Sequence, residues 1–373
     1  MLGIGLVRSR MLPMALLFML NWQTQSVQAV VLPVDPDNAA LLYYQAFLAC
    51  PEPPERELTK SMRPRHGLEG IYGRPSDQEC ALIQVENGAE PDDLVREYIE
   101  IAGDAIELAE KAIRLSHCDW GTLYSQGFSY RPRHLARMTV LARVWCADAR
   151  ILAADGGGRL ALQRCLSAHA FVDHVNDWTN AAFLTGMDID RRIHLCIRQV
   201  LGSVIVDTET ITWLNTEVPS LRIGSNAAER PFEGGFQLLL QSLRNSDRTL
   251  SRIRNGMAGR GMKAADDLTD DQLVTRVEES YLAAIDILEA IMASDLAYEK
   301  ACSKIESSLV DLETKVRDDP VAQYVVRDIM TMARDSVTLY GAQISSLARY
   351  NALRAALEIY LIHAKTGMLP EQL

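Results

Sequence analysis

The chain has 373 residues, of which 48% are hydrophobic, 23% charged and 6% aromatic, and its formal net charge is −11. That hydrophobic share excludes a disordered chain, and 22 Gly with 14 Pro excludes a collagen-like or low-complexity one. The acidic balance argues against a general nucleic-acid binder, and the length suffices to bury one or two cores.

Arg8 and Arg10 precede an apolar run, Met11 to Leu20, and Val27-Gln28-Ala29 follows it. A basic start, a short apolar run and an A-x-A-like end describe a secretory signal peptide over residues 1–29, cleaved before Val30. An uncleaved anchor is the alternative, although the run is shorter than the roughly 20 apolar residues of a comfortable span. No later stretch reads as a membrane span. The expectation is an exported chain, periplasmic or associated with the cell envelope, and more acidic by two charges once Arg8 and Arg10 are removed.

Asp37-Asn38 caps a helix predicted over Ala39–Ala49, which Pro51 ends. A Pro-rich loop is expected over residues 51–91, with Cys50 and Cys80 flanking its proline cluster. A disulfide between these two would staple the loop; the plainer reading is two small buried hydrophobes. Helical periodicity then predicts Asp92 to Leu115, Arg133 to Ala153, Leu160 to Val175 and a helix carrying Ile189, Ile193, Ile197, Val200 and Val204. Asp155-Gly156-Gly157-Gly158 separates two of these as a turn, because it follows a helix and lacks the Lys-Ser/Thr of a phosphate loop.

A soft boundary falls near residue 225. Thr269 and Gln272 make a capping box. The seam Val277, Tyr281, Ala284, Leu288, Ile291, Asp295, Tyr298, Cys302, Ile305, Leu309, Leu312 and Val316 follows, in alternating steps of four and three. Asp318-Asp319-Pro320 stops it, and a second helical stretch runs from Val321 to about Lys365. Strand patterns are nearly absent. The predicted fold is all-α: a helical-hairpin or repeat-like body over 30–225, then an arm over 226–373 with a long antiparallel hairpin over 270–365. The same seam on shorter, kinked helices is the competing arrangement. Asp295 is the one acid in the seam, with Tyr340 or Gln343 opposite it as hydrogen-bond partner.

Three phrases carry a resemblance: Asn38-Ala39-Ala40-Leu41-Leu42-Tyr43-Tyr44-Gln45-Ala46, then Cys118-Asp119-Trp120-Gly121, then the tail Gly367, Pro370, Leu373. Together they resemble an uncharacterised family of exported, helical bacterial proteins, a resemblance that implies no activity. Chains of that family continue past this tail, which implies that the present one stops short.

Cys165, His169 and Asp173 stand at i, i+4 and i+8, so a helix would place three metal-ligand types on one face. Leu162, Leu166 and Val172 share that face, which makes a buried His beside a buried Cys the plainer reading, and no cofactor is expected. Asp119 and Trp120 sit in a loop after a helix, where binding groups often lie, or else Trp120 plugs the helix end and Asp119 caps the next turn. Arg244, Arg248 and Arg252 are four apart and would align in one row able to grip an anionic envelope component, or simply form a solvated face. With no complete catalytic motif, the leading expectation is a non-enzymatic interaction or scaffold protein of the cell envelope. The alternative is an envelope hydrolase using a cleft between the two helical halves.

Overall fold

The structure, a computed structural model, describes residues 37–51, 80–122, 132–175, 179–203, 207–222, 231, 234, 238, 241, 242, 244, 247–259, 267–292, 294 and 298–367. The segment read as a signal peptide and Asp295 lie outside them. The fold is all-α. Among the described residues there are thirteen α-helices and no strand, and no helix is long and apolar enough to cross a membrane.

The first helix, α1, is Ala39–Ala49. Asn38 caps it, its Oδ1 accepting from Ala40 N at 3.1 Å. The same side chain grips a distant loop: Asn38 Nδ2 donates to the Asp119 carbonyl at 2.8 Å, and Asp119 N donates back to Oδ1 at 2.9 Å. Replacing Asn38 with alanine is expected to cost about 1–2 kcal/mol in urea unfolding, since a cap and a loop clamp are lost together. An unchanged midpoint would show the clamp to be incidental.

The stretch expected as loop contains α2, Cys80–Glu86. Its Ala81, Leu82, Ile83 and Val85 are buried, so tertiary burial overrides the surrounding prolines. The predicted helix from Asp92 is two, α3 (Asp93–Ile101) and α4 (Gly103–Ile113), meeting at the buried Ala102 just before Gly103. The α1 helix packs on α4, and both present fully buried alanines, which permits close approach.

The centre of the body is α5, His134–Ala154, together with α8, Asn180–Ser203. Leu135, Met138, Val144, Trp145 and Ala149 of α5 are all inaccessible, as are Ile189, Ile193, Ile197 and Val200 of α8. A helix buried nearly all round is a central one. Between them come α6, Gly158–Ser167, and α7, Ala170–Val175. The chain then passes through α9, Thr208–Glu217, into a 3₁₀ turn, Val218–Leu221.

A second core gathers α10 (Asp247–Gly259), α11 (Asp270–Met292), α12 (Tyr298–Lys315) and the first part of α13 (Pro320–Thr366). The capping box forms: Gln272 N donates to Thr269 Oγ1 at 3.2 Å and Thr269 N to Gln272 Oε1 at 3.0 Å. The seam is buried at Val277, Tyr281, Ala284, Leu288, Ile291, Ile305 and Leu309. It is carried by two helices, because Met292 ends α11 and Ser294 N closes onto the Ile291 carbonyl at 3.2 Å in a bend. A Cβ on Gly256 would stand 2.5 Å from the Tyr324 hydroxyl, so a larger residue there would require the Tyr324 ring to shift.

Asp319 starts α13, accepting from Val321 N and Ala322 N with Pro320 at the first turn. The helix then runs for 47 residues to Gly367, whose φ of 71° is left-handed and natural for glycine. At 1.5 Å per residue it is about 70 Å long. Its Val321, Val325, Ile329 and Tyr340 belong to the second core, and its Leu339, Tyr350 and Leu357 to the first. The last half of a helix expected in the arm therefore packs in the body.

Candidate functional site

An open cleft of about 450 Å³ in the body brings several polar groups together. It is lined by Glu110 of α4, Arg114 just after it, Ser167 of α6, His169, Asp173 of α7 and Ser220 of the 3₁₀ turn. His169 is there because α6 and α7 do not continue each other. His169 N closes on the Leu166 carbonyl, Phe171 N on Ala168 and Val172 N on His169, all three residues back. These tighter 3₁₀ steps advance the chain by more than an α-helix does per residue. The face that Cys165, His169 and Asp173 were expected to share is broken by that step. His169 and Asp173 meet at the cleft, while Cys165 turns inward to the Cys196 thiol at 3.3 Å. Among the described residues, no three His, Cys, Asp or Glu side chains gather in a way that could hold a metal ion.

His169 is buried, and its Nε2 has no partner. Burial pushes its pKa below the ordinary imidazole value, although Asp173 and Asp190 pull the other way and the ring bonds the Leu221 carbonyl. Behind it lies Asp190 of α8, fully inaccessible. Asp190 Oδ2 accepts from Arg349 Nη2 of α13 at 2.9 Å, and its Oδ1 stands 3.5 Å from His194 Nε2. Burial would raise the Asp190 carboxyl, but His194, Arg349 and the Ser346 hydroxyl outweigh it and hold the group below the usual range. Asp190 Oδ1 and His194 Nε2 thus face each other at a long distance, while His169 Nε2 and Arg349 Nε are buried without a hydrogen bond. Buried polar atoms without a partner are uncommon in folded proteins.

Ser167, Ser220 and Glu110 of the cleft are tied to the fold. Ser167 donates to the Arg164 carbonyl at 2.9 Å and Ser220 to the Glu217 carbonyl at 2.7 Å. Glu110 pairs with the Arg164 guanidinium, which also holds Asp148 at 2.8 Å and lies over the Trp145 ring.

A second polar cluster joins α2, α5 and α8. Glu86 receives Arg143 at 3.3 Å, Arg191 at 3.2 Å and Arg192, while Asp188 holds Arg191 at 3.1 Å and Arg192 at 2.7 Å. Beside it is a void of about 10 Å³, room for a single water. Burial acts to raise the Asp188 carboxyl, but Arg192 and Arg191 hold it below the carboxylate range.

The remaining sequence candidates find these places. Trp120 is buried, stacked on His134 at 4.2 Å, and its Nε1 donates to the His174 carbonyl at 2.6 Å. Asp119 Oδ1 accepts from Gly121 N at 2.8 Å, capping the turn. Arg244 is bonded to both oxygens of Glu278, at 3.0 and 3.3 Å. The side chains of Arg248 and Arg252 lie outside the described residues. So does that of Cys80, while Cys50 Sγ stands 3.5 Å from the Tyr98 hydroxyl. Sequence reading missed Glu86, Asp190, Arg192, His194 and Arg349. The available signal was the spacing of Asp190 and His194, four apart among the isoleucines of α8.

Comparison with protein-family models, with curated proteins and with solved structures finds no match to this chain.

Proposed function

We propose that the chain is an exported, non-enzymatic interaction protein of the bacterial cell envelope, built as a helical scaffold. The observation that carries this reading is α13, one continuous 47-residue helix that contributes to both hydrophobic cores and so holds them in fixed register. A rod of this kind suits a protein that spaces or positions partners. The cleft supports the same reading. Its two serines donate to carbonyls of their own segments, and Glu110 is committed to Arg164. Arg244 of the predicted row is paired with Glu278, and the nearby Arg254 with Asp270, so both cations are engaged within the fold. That favours a protein partner over an anionic polymer.

A hydrolase working in the cleft is the second reading, favoured by the unpartnered Nε2 of His169 beside Asp173. The two separate in one comparison. Photo-cross-linking from positions 360 and 362, exposed on the last turns of α13, is expected to give one discrete envelope adduct. Purified protein is expected to turn over chromogenic esters, amides, phosphoesters and glycosides no faster than His169→Ala. Turnover lost in His169→Ala would replace the scaffold reading with the hydrolase.

A further inference from the structure

Three cysteines from three helices meet inside the body: Cys146 of α5, Cys165 of α6 and Cys196 of α8. All are buried. The Cys165 and Cys196 sulfurs are 3.3 Å apart, in a thiol–thiol hydrogen bond. Cys196 Sγ also lies 3.5 Å from the Cys146 carbonyl oxygen, and the Cys146 thiol hydrogen-bonds the Cys196 thiol. Cys196 is therefore a hub with two thiol neighbours. Cys165 and Cys196 are 31 positions apart, and the chain between them includes the whole of α7. A bond there would need the sulfurs to close by a little over 1 Å, toward the disulfide length of about 2.05 Å.

We propose that Cys165 and Cys196 are a redox modification site, joined as a disulfide when the chain folds in an oxidising compartment, with Cys146 as the thiol that can exchange with them before the core closes. The oxidant is a disulfide-bearing thiol–disulfide exchange partner. One cysteine thiolate attacks it and forms a mixed disulfide. The second thiolate displaces the partner's sulfur, so the S–S bond forms as two thiol protons leave and two electrons reduce the partner to its dithiol. The step belongs to folding. Once the core closes, the sulfurs are shielded, and the hydrogen bond to Cys196, with burial behind it, holds the Cys146 thiol well above its ordinary pKa and unreactive. The bond would pin the end of α6 two residues before the Ser167 edge of the cleft ends, fixing the wall that carries His169. The presence of the oxidant in the cell rests on the exported location; the pairing itself does not.

The test is to refold the full chain from denaturant in a reduced and oxidised glutathione couple, then alkylate, digest and map the thiols by mass spectrometry. The expected product is a Cys165–Cys196 cross-linked peptide, two hydrogens lighter than its parts. It should survive dithiothreitol until the protein is unfolded, and thermal unfolding should rise by about 5 °C over the reduced chain. Cys165→Ser should shift the link to Cys146–Cys196. If both of those stay free in the variant, Cys146 drops out of the proposal. Wild-type chain alkylated at both Cys165 and Cys196 after oxidative refolding would overturn the pair. A refolded chain that is bridged, while chain acid-trapped from whole cells is reduced, supports the pair and counts against the exported location instead.

Discussion

Replacing Glu86 with alanine is expected to lower the free energy of unfolding by about 3–5 kcal/mol, the scale for removing one partner from a buried ion pair. Glu86 is the one carboxylate shared by Arg143, Arg191 and Arg192, and the side chains of Arg143 and Arg192 are only 8% and 7% exposed. Without it, Arg191 and Arg192 keep Asp188, while the buried Arg143 loses the carboxylate it pairs with here. Its positive charge cannot be neutralised by losing a proton, since arginine stays charged at any accessible pH. The loss should also loosen α2, a seven-residue helix held at its end by Glu86 and by the bond from Gln199 Nε2 to the Glu86 carbonyl at 2.8 Å. Glu86→Gln keeps the shape and some hydrogen bonds and should cost less. Urea unfolding of both variants reads the difference. A change below about 1 kcal/mol for the alanine variant would mean that water reaches the cluster and screens it.

The protein is expected to lose up to about 3 kcal/mol of stability as the pH falls from 7 to 4 through His134 alone. His134 is buried, its Nε2 has no partner, and burial pushes its pKa down to about 4. Unfolded, the same imidazole titrates near 6.5. Between those values the unfolded chain binds a proton that the folded chain refuses, so acid favours unfolding. The contribution is complete above about pH 6.5 and declines until about pH 4. Burial shifts His169 and His174 in the same direction and deepens the fall. Asp188 and Asp190, held low, act in a separate window, losing their contribution only below the ordinary carboxylate range. His134→Phe preserves a ring against Trp120 and removes the proton site. Its stability should fall less between pH 6.5 and 4 than that of the wild type. Parallel curves for the two proteins would falsify the assignment to His134.

Local signals made much of the fold legible. Asn38 and Pro51 bracket α1 because a cap and a missing amide act within one turn. The Thr269–Gln272 box and the seam from Val277 to Ile291 follow from a spacing that only a helix satisfies. The breaks were not legible, because at His169 and Ser294 they consist of a few backbone bonds that reach three residues back instead of four, which side-chain periodicity does not report. The α2 helix escaped notice because its apolar face gains from burial against α5, which no local pattern reports. The polar clusters were hidden for a related reason. Arg349 and Asp190 are 159 positions apart, and Arg192 and Glu86 are 106 apart. Pairing over such separations is a property of packing. At the candidate site, His169 and Asp173 were legible as chemistry-bearing residues, but their helical phase was not.

The long helix imposes a further constraint, on how such a chain can change length. Leu339 faces one core and Tyr340, its neighbour, the other. Inserting a single residue between them would turn one half by about 100° and shift it by about 1.5 Å relative to the other. Every apolar side chain on that half would then miss its seat. Seven inserted residues restore the angle to within about 20°, yet push the two seats roughly 10 Å apart. Neither change can be absorbed by a loop, because no loop lies within the helix. This stretch is thus closed to insertion and deletion, and length variation is confined to the connections that enter and leave it.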